Sequence, residues 1–289
     1  MDKLKGLLYG SFLGDAMALG PHWIYDTDLI RSEFGNIAGI TTPPCNSYHV
    51  GKLKGDFTHY GDQALMLLKS IKDMDGYNQM VFKKEWLEYM KNYKGYKDHA
   101  TKASIELLTN SDCGSDSDEL GGFARLAPII YKYHNDKDLL QFVKSNLRMT
   151  HNNEELVEKS LFIVKLIQRI LDGKNPLEGI RLLYGECSSD IKNTIDVVEK
   201  HIKDDPVEYI RSVGQSCSSR FAFKAVLYLV LKYKDDYHQA ILKNLYAGGD
   251  SAARGMVLGM ILGAHMGYDQ LPQTWMSDMN DISEINSLS

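Results

Sequence analysis

Residues 242–267 read LKNLYAGGDSAARGMVLGMILGAHMG, and the reading of this stretch decides the fold. Gly255, Gly259 and Gly263 recur every four residues in an otherwise apolar run, a spacing that strips one helix face to bare backbone. The same ladder stands near the other end of the chain, where Gly6, Gly10 and Gly14 run through KLKGLLYGSFLGDAMALG. Two such faces permit close helix approach, so both terminal helices are expected to pack together at the centre of a bundle. Between them the apolar residues Leu156, Val157, Leu161, Val164, Ile167, Ile170 and Leu171 recur at spacings of three and four. Asn152 is the expected N-cap of that helix, with Glu155 three residues on, and Gly173 and Pro176 close it. Further helices are predicted near 3–14, 62–73, 82–94, 120–133, 136–148, 189–203, 236–246 and 251–266. Phe221 to Tyr233 is apolar almost all round and reads as a buried helix. No run alternates with β-branched enrichment, so the chain reads as all-α, with one bundle over 1–270 and a polar tail, 271–289, that forms a short surface helix.

Composition narrows the function. Of 289 residues, 44% are hydrophobic and 25% charged, which excludes disordered, collagenous and coiled-coil classes. A net charge of −5 without a Lys/Arg cluster argues against nucleic acid as a partner, because phosphate neutralisation needs clustered cations. The longest apolar run, Phe221 to Leu231, contains Lys224 and is too short to span a bilayer, so no membrane role is expected. The start, MDKLKGLLYGSFLGD, carries no signal-peptide pattern, and Cys45, Cys113, Cys187 and Cys217 stand far apart without a CxxC pair. These features predict reduced thiols and a cytoplasmic protein.

Three acids sit beside glycine at predicted helix boundaries: Gly14–Asp15, Gly61–Asp62 and Gly249–Asp250. Each has a plain explanation as a helix cap. Together they also fit one polar site, since helical bundles build ligand and metal sites from inward-facing carboxylates. Gly121–Gly122 open a predicted helix, where bare N–H groups suit a phosphate or ribose oxygen. The acids Asp116, Asp118 and Glu119 just before them read as a solvated loop, and the seventeen Tyr as core and half-buried surface.

At this point five segments, in order, resemble the ADP-ribosylglycohydrolase family. They are GSFLGDAMALG (10–20), GDFTHYGDQALMLL (55–68), ELGGFARLAPI (119–129), RMTHNN (148–153) and the closing glycine-ladder segment. The resemblance implies a single orthogonal all-α bundle and hydrolysis of N- or O-glycosidic bonds to ribose in ADP-ribosylated or related small-molecule substrates. It also implies two Mg²⁺ ions that orient the ribose and a water.

The departures fall on the metal ligands. Asp62 takes the place of the second Asp of the family's TDDT segment, while Tyr60, Gly61 and Gln63 replace its neighbours. Asp250 and Ser251 keep the first two positions of the closing DTDT, and Ala252 and Ala253 replace the others. Where the family has an acid after its GDA turn, this chain has Gly20-Pro21-His22-Trp23. Two carboxylates and a hydroxyl are a thin octahedral shell for Mg²⁺, so a dinuclear centre is not expected, and at most one weakly held ion sits between Asp62 and Asp250. The site is expected to use Asp62, Asp250 and His59 in catalysis, with Asp15, Gly121, Gly122 and Arg254 on the substrate. The Arg254 guanidinium either pairs with Asp250 one turn away or fills charge space a metal would take. The alternative is a degenerate relative that binds a nucleotide or sugar, or serves structurally as a crystallin does.

Overall fold

The computed structural model describes residues Asp2–Ser289. Its first half contains α1 (Lys3–Ala18), α2 (Thr27–Phe34), α3 (His59–Asp73), α4 (Gln79–Asn92), α5 (His99–Leu107), α6 (Leu126–Tyr133) and α7 (Leu139–Arg148). The second half adds α8 (Glu154–Leu171), α9 (Pro176–Tyr184), α10 (Ser189–His201), α11 (Pro206–Val213) and α12 (Ser219–Lys232). The chain closes with α13 (Tyr237–Tyr246), α14 (Ser251–Met266), α15 (Gln273–Ser277) and α16 (Ile282–Leu288). Among the described residues β pairing is limited to isolated bridges, Ser115 with His151 and Glu119 with Ser218, so the all-α expectation is met. Among the same residues no helix is long and apolar enough to cross a membrane.

α1 and α14 pack face to face through their glycine ladders. A Cβ placed on Gly6, Gly10 or Gly14 would lie 2.1, 2.3 and 2.1 Å from the carbonyl oxygens of Gly263, Gly259 and Gly255. No side chain fits at those distances, which is why the ladders are glycine. Both helices are buried over nearly their whole length, as α12 is over its middle. The tail departs from the surface helix expected of it. Trp275, Met276, Met279 and Ile285 are buried, and the Trp275 indole N–H donates to the Ala38 carbonyl at 2.7 Å. Four apolar residues scattered among polar ones suffice to dock this segment.

Several boundaries also move. α1 runs to Ala18, so Asp15 lies inside the helix and not at its end. α3 starts at His59 with Thr58 as its N-cap, which places Asp62 in the first turn. Asn153, not Asn152, caps α8, its side chain accepting from the Leu156 N–H at 3.0 Å. The predicted 120–133 helix divides into a 3₁₀ segment, Leu120–Arg125, and α6, because a Gly–Gly pair is a poor α-helix start.

Candidate active site

The first turn of α3 is a hub from which successive side chains reach different networks. The Thr58 N–H and hydroxyl donate to the two oxygens of Asp15, at 2.7 and 2.6 Å. Gly61 faces the same carboxylate so closely that a Cβ there would stand 2.5 Å from Asp15 Oδ2. Burial pushes the Asp15 carboxyl up to about 6 against the pull of the two Thr58 donors. Tyr60 points the other way, toward Asp250, with its hydroxyl 3.5 Å from Oδ2. Asp62 faces outward to α4 and the 35–58 loop. There the Lys52 ammonium donates to its Oδ2 at 2.5 Å and the Tyr93 hydroxyl donates to the same atom. Burial and the Asp62 charge push the Tyr93 phenol far up, so it remains a donor. Gln63 turns inward, where its amide oxygen accepts from Trp86 at 2.7 Å and Arg125 at 3.0 Å.

Asp250 caps α14, accepting from the Ala253 N–H at 3.1 Å, and is fully buried. Its Oδ1 also lies 3.0 Å from His22 Nε2, and His22 Nδ1 lies 2.8 Å from His49 Nε2. Burial lowers both imidazoles, His49 to about 2, so the relay is neutral and each Nε2–H donates toward the carboxylate. Burial works to raise Asp250, but His22, Arg254 and the Ala253 N–H outweigh it and hold the carboxyl below its ordinary value. Trp23 stacks on His22 at 4.1 Å and holds a φ of +63°, a left-handed conformation that costs a bulky residue about 1–2 kcal/mol. The Gly248–Gly249 turn secures it, with the Trp23 N–H donating to the Gly249 carbonyl at 2.9 Å. Such strain gathers where a side chain must be held in one place.

That place is the wall of a cleft of about 200 Å³ lined by Trp23, Tyr25, Tyr48, Tyr60, Tyr96, Asp98, His99, Glu119 and Cys217. Two of its carboxyl groups are driven in opposite directions. Burial acts to raise Asp98, yet His59 Nε2, 3.0 Å from its Oδ2, outweighs burial with help from His151 and the Thr101 N–H, and the carboxyl falls far below its ordinary value. Glu119 is raised by burial, with Asp98 and Asp250 adding their charges, against a thiol hydrogen bond from Cys217 at 3.4 Å. Its Oε2 is buried without a partner. Burial and Glu119 push the Cys217 thiol far up, so it stays protonated.

The residues singled out in the sequence surround α3, and each carboxylate has hydrogen-bond partners of its own. Asp15, Asp62 and Asp250 belong to three separate networks, and the cleft wall is built from other acids. Gly121 and Gly122 are packing glycines. A Cβ on the first would lie 2.4 Å from the Tyr60 ring and on the second 2.7 Å from Leu147. The Gly122 N–H already donates to the Glu119 carbonyl at 3.2 Å. Arg254 is buried and turns its guanidinium to the Asn244 side-chain oxygen at 2.9 Å, to the Gln215 carbonyl at 3.2 Å and to the Gly248 carbonyl. It anchors the turn that positions Trp23 and does not replace a metal. The cation on Asp62 is Lys52.

The donor set does not fit the Mg²⁺ that the resemblance implies. Asp62 already holds an ammonium and a phenol, Asp250 holds an imidazole and a backbone N–H, and the two face different networks. The ammonium and the phenol both sit on Asp62 Oδ2, and the imidazole and the N–H both sit on Asp250 Oδ1. Only Asp62 Oδ1 and Asp250 Oδ2 remain for a cation, too few for the octahedral oxygen shell of Mg²⁺. Among the described residues no group of three or more His, Cys, Asp and Glu side chains is placed to hold a metal.

Sequence reasoning missed Lys52, Tyr93, Tyr48, Tyr96, Asp98 and Cys217, and it set Glu119 aside as solvent-facing. Asp98 had a signal, being an N-cap whose side chain accepts from the Thr101 N–H at 2.6 Å, but α5 itself was not predicted.

Comparison with known proteins agrees with this architecture. The chain is 23% identical to Crystallin J1A of Tripedalia cystophora over 98% of its own length and 94% of that protein's. It is 18% identical to ADP-ribosylhydrolase ARH3 of Mus musculus, over 100% of this chain and 90% of that one. A solved structure titled ADP-ribosylglycohydrolase-related protein complex superposes with a TM-score of 0.73 at 19% identity, covering 99% of this chain and 95% of the other. The family profile described as ADP-ribosylglycohydrolase matches residues 1–289, so the paired glycine ladders, the α3 hub and the acids around it are features of a chain that belongs to the ADP-ribosylglycohydrolase family.

Proposed function

We propose that this protein is a glycohydrolase of N- or O-ribosyl bonds that works in the aromatic cleft without a metal ion between Asp62 and Asp250. Family membership supports glycohydrolase chemistry in general. The observation that carries the reading is the pair of cleft carboxyl groups whose surroundings separate their protonation, Glu119 upward and Asp98 downward. Such a split assigns a proton donor and a fixed negative charge. Glu119 donates its proton to the leaving atom as the glycosidic bond breaks, and the ionised Asp98, held by His59, stabilises the positive charge that develops on the sugar ring. The Glu119 carboxylate takes a proton back from the water that attacks the anomeric carbon. His59 thus acts through Asp98, and Asp250 acts through Tyr60 and the His22 relay that supports Trp23. Asp62 and Asp15 hold the first turn of α3 in position. The substrates proposed are ribosyl small molecules or ADP-ribosylated groups, and the four free thiols suit a cytoplasmic setting.

A second reading, a binding or structural protein that has lost catalysis, is favoured by the internal partners of Asp62 and Asp250 and by the crystallin relative. Hydrolysis of a panel of ADP-ribosylated peptides, O-acetyl-ADP-ribose and nucleosides, run with and without chelator, separates the two. The glycohydrolase reading expects turnover that chelator leaves intact and that Glu119→Gln abolishes. No turnover of any member would support the second.

A further inference from the structure

The cleft wall carries more aromatic surface than a sugar ring requires. Trp23, Tyr48 and Tyr96 meet edge to face, with centroids 5.2 Å apart for Trp23–Tyr48, 4.7 Å for Trp23–Tyr96 and 5.0 Å for Tyr48–Tyr96. Tyr25 and Tyr60 complete a lining of five aromatic rings. The charged groups of that lining are acids, Asp98 and Glu119, with His99 beside them and no Lys or Arg among the nine residues. Asp250 stands directly behind Tyr60. The imidazoles behind Trp23 add no positive charge, because burial keeps His22 and His49 neutral. One cation already uses this wall, the Lys102 ammonium lying 5.1 Å from the centroid of Tyr96.

These features select a ligand by charge. A diphosphate inside this lining would meet two carboxyl groups and no counter-charge, so the diphosphate of an ADP-ribosyl substrate would have to lie outside the ring of aromatic side chains. A neutral apolar ligand would leave the partnerless Glu119 Oε2 as it is and gain nothing from the Asp98 charge, which His59 and the Thr101 N–H already hold in place. A soft organic cation gains from rings and charge alike, since ring faces attract diffuse positive charge and the Asp98 carboxylate neutralises it. Size agrees, because about 200 Å³ holds a head group and not a drug-sized molecule, whose pockets run to ~300–1,000 Å³.

We propose that the Trp23–Tyr48–Tyr96 cleft is an aromatic cage for an organic monocation of the quaternary-ammonium class, with Asp98 as its counter-charge and Glu119 as a second once the arriving cation has driven its proton to solvent. It shares the cleft with the glycohydrolase reading but needs no bond to be cleaved. The test is calorimetric titration of the full chain with choline and with its neutral isostere 3,3-dimethylbutan-1-ol, and with methylguanidinium as a third arm. Choline is expected to bind at least about tenfold more tightly than the alcohol. Tyr48 is 57% exposed, so Tyr48→Ala should fold normally and weaken choline by about tenfold, as should Glu119→Gln. Equal binding of the alcohol, binding of methylguanidinium but not choline, or choline affinity unchanged in both variants would overturn the cage. So would the lack of choline binding at millimolar concentration. Choline binding without hydrolysis of any ribosyl compound would remove the glycohydrolase reading and leave the cage standing, whereas hydrolysis without choline binding would remove the cage alone.

Discussion

Lys52 changes what Asp62 means. This carboxylate on the first turn of α3, which the sequence resemblance assigns to a metal, already has a cation in the lysine of the preceding loop. Both side chains are largely covered, 19% and 12% exposed, so the pair exceeds an ordinary surface bridge but falls short of a fully desolvated one. Lys52→Met is expected to cost about 1–3 kcal/mol in urea unfolding, and adding Asp62→Asn should restore most of the loss. An unchanged midpoint in the single variant would show that the pair contributes nothing. Asp15 provides a second test at this scale. The unfolded chain loses this proton near 3.8 and the folded chain near 6. Between those values the folded state binds more protons, so this group's contribution is present at low pH and lost as pH rises through the window. The loss is on the order of 3 kcal/mol. Asp15→Asn should flatten the stability profile between about pH 4 and 6 relative to the parent, and an unaltered slope would place the titration elsewhere.

At the scale of elements, α1 and α14 show what local pattern can and cannot reveal. Their pairing was legible because a glycine every fourth residue leaves one helix face able to receive only another backbone. Gly10→Ala would put a methyl 2.3 Å from the Gly259 carbonyl, and the two central helices would have to separate. A loss of about 3 kcal/mol or more is expected in thermal or urea unfolding. Gly185 is the control, with φ −62°, ψ −29° and no atom within 4 Å of its missing Cβ. Gly185→Ala should therefore be neutral or stabilising by about 0.4–1 kcal/mol. Equal losses at both positions would contradict the packing role of the ladder. The cleft was far less legible. Tyr48 and Tyr96 come from loops, Asp98 from a cap and Glu119 from a polar stretch, and no spacing in the chain brings these residues together. Tyr48 of the 35–58 loop meets Tyr96 before α5, and a separate pairing of Glu119 with Ser218 brings up the other wall. Gly121–Gly122 misled for the opposite reason, since a glycine pair that looks like an anion cradle serves to admit the Tyr60 ring and Leu147.

The whole molecule keeps the family's scaffold, and its own side chains meet both of the carboxylates that the sequence resemblance assigns to a metal. Lys52 and Tyr93 meet Asp62, and His22 and Tyr60 meet Asp250. The buried Gly–Gly turn, Arg254 and the His49–His22 relay then hold Trp23 over a cleft lined by Asp98 and Glu119, with Asp250 behind Tyr60. The most direct measurement is the rate of ribosyl-bond hydrolysis by the parent, Glu119→Gln and Asp62→Asn proteins in EDTA and in excess Mg²⁺. With metal-free chemistry in the cleft, the parent turns over equally in both media. Glu119→Gln then loses at least about a hundredfold, while Asp62→Asn keeps most of its rate once folded. Activity that requires Mg²⁺, disappears with Asp62→Asn and ignores Glu119→Gln would return the reaction to the metal positions and contradict the proposal.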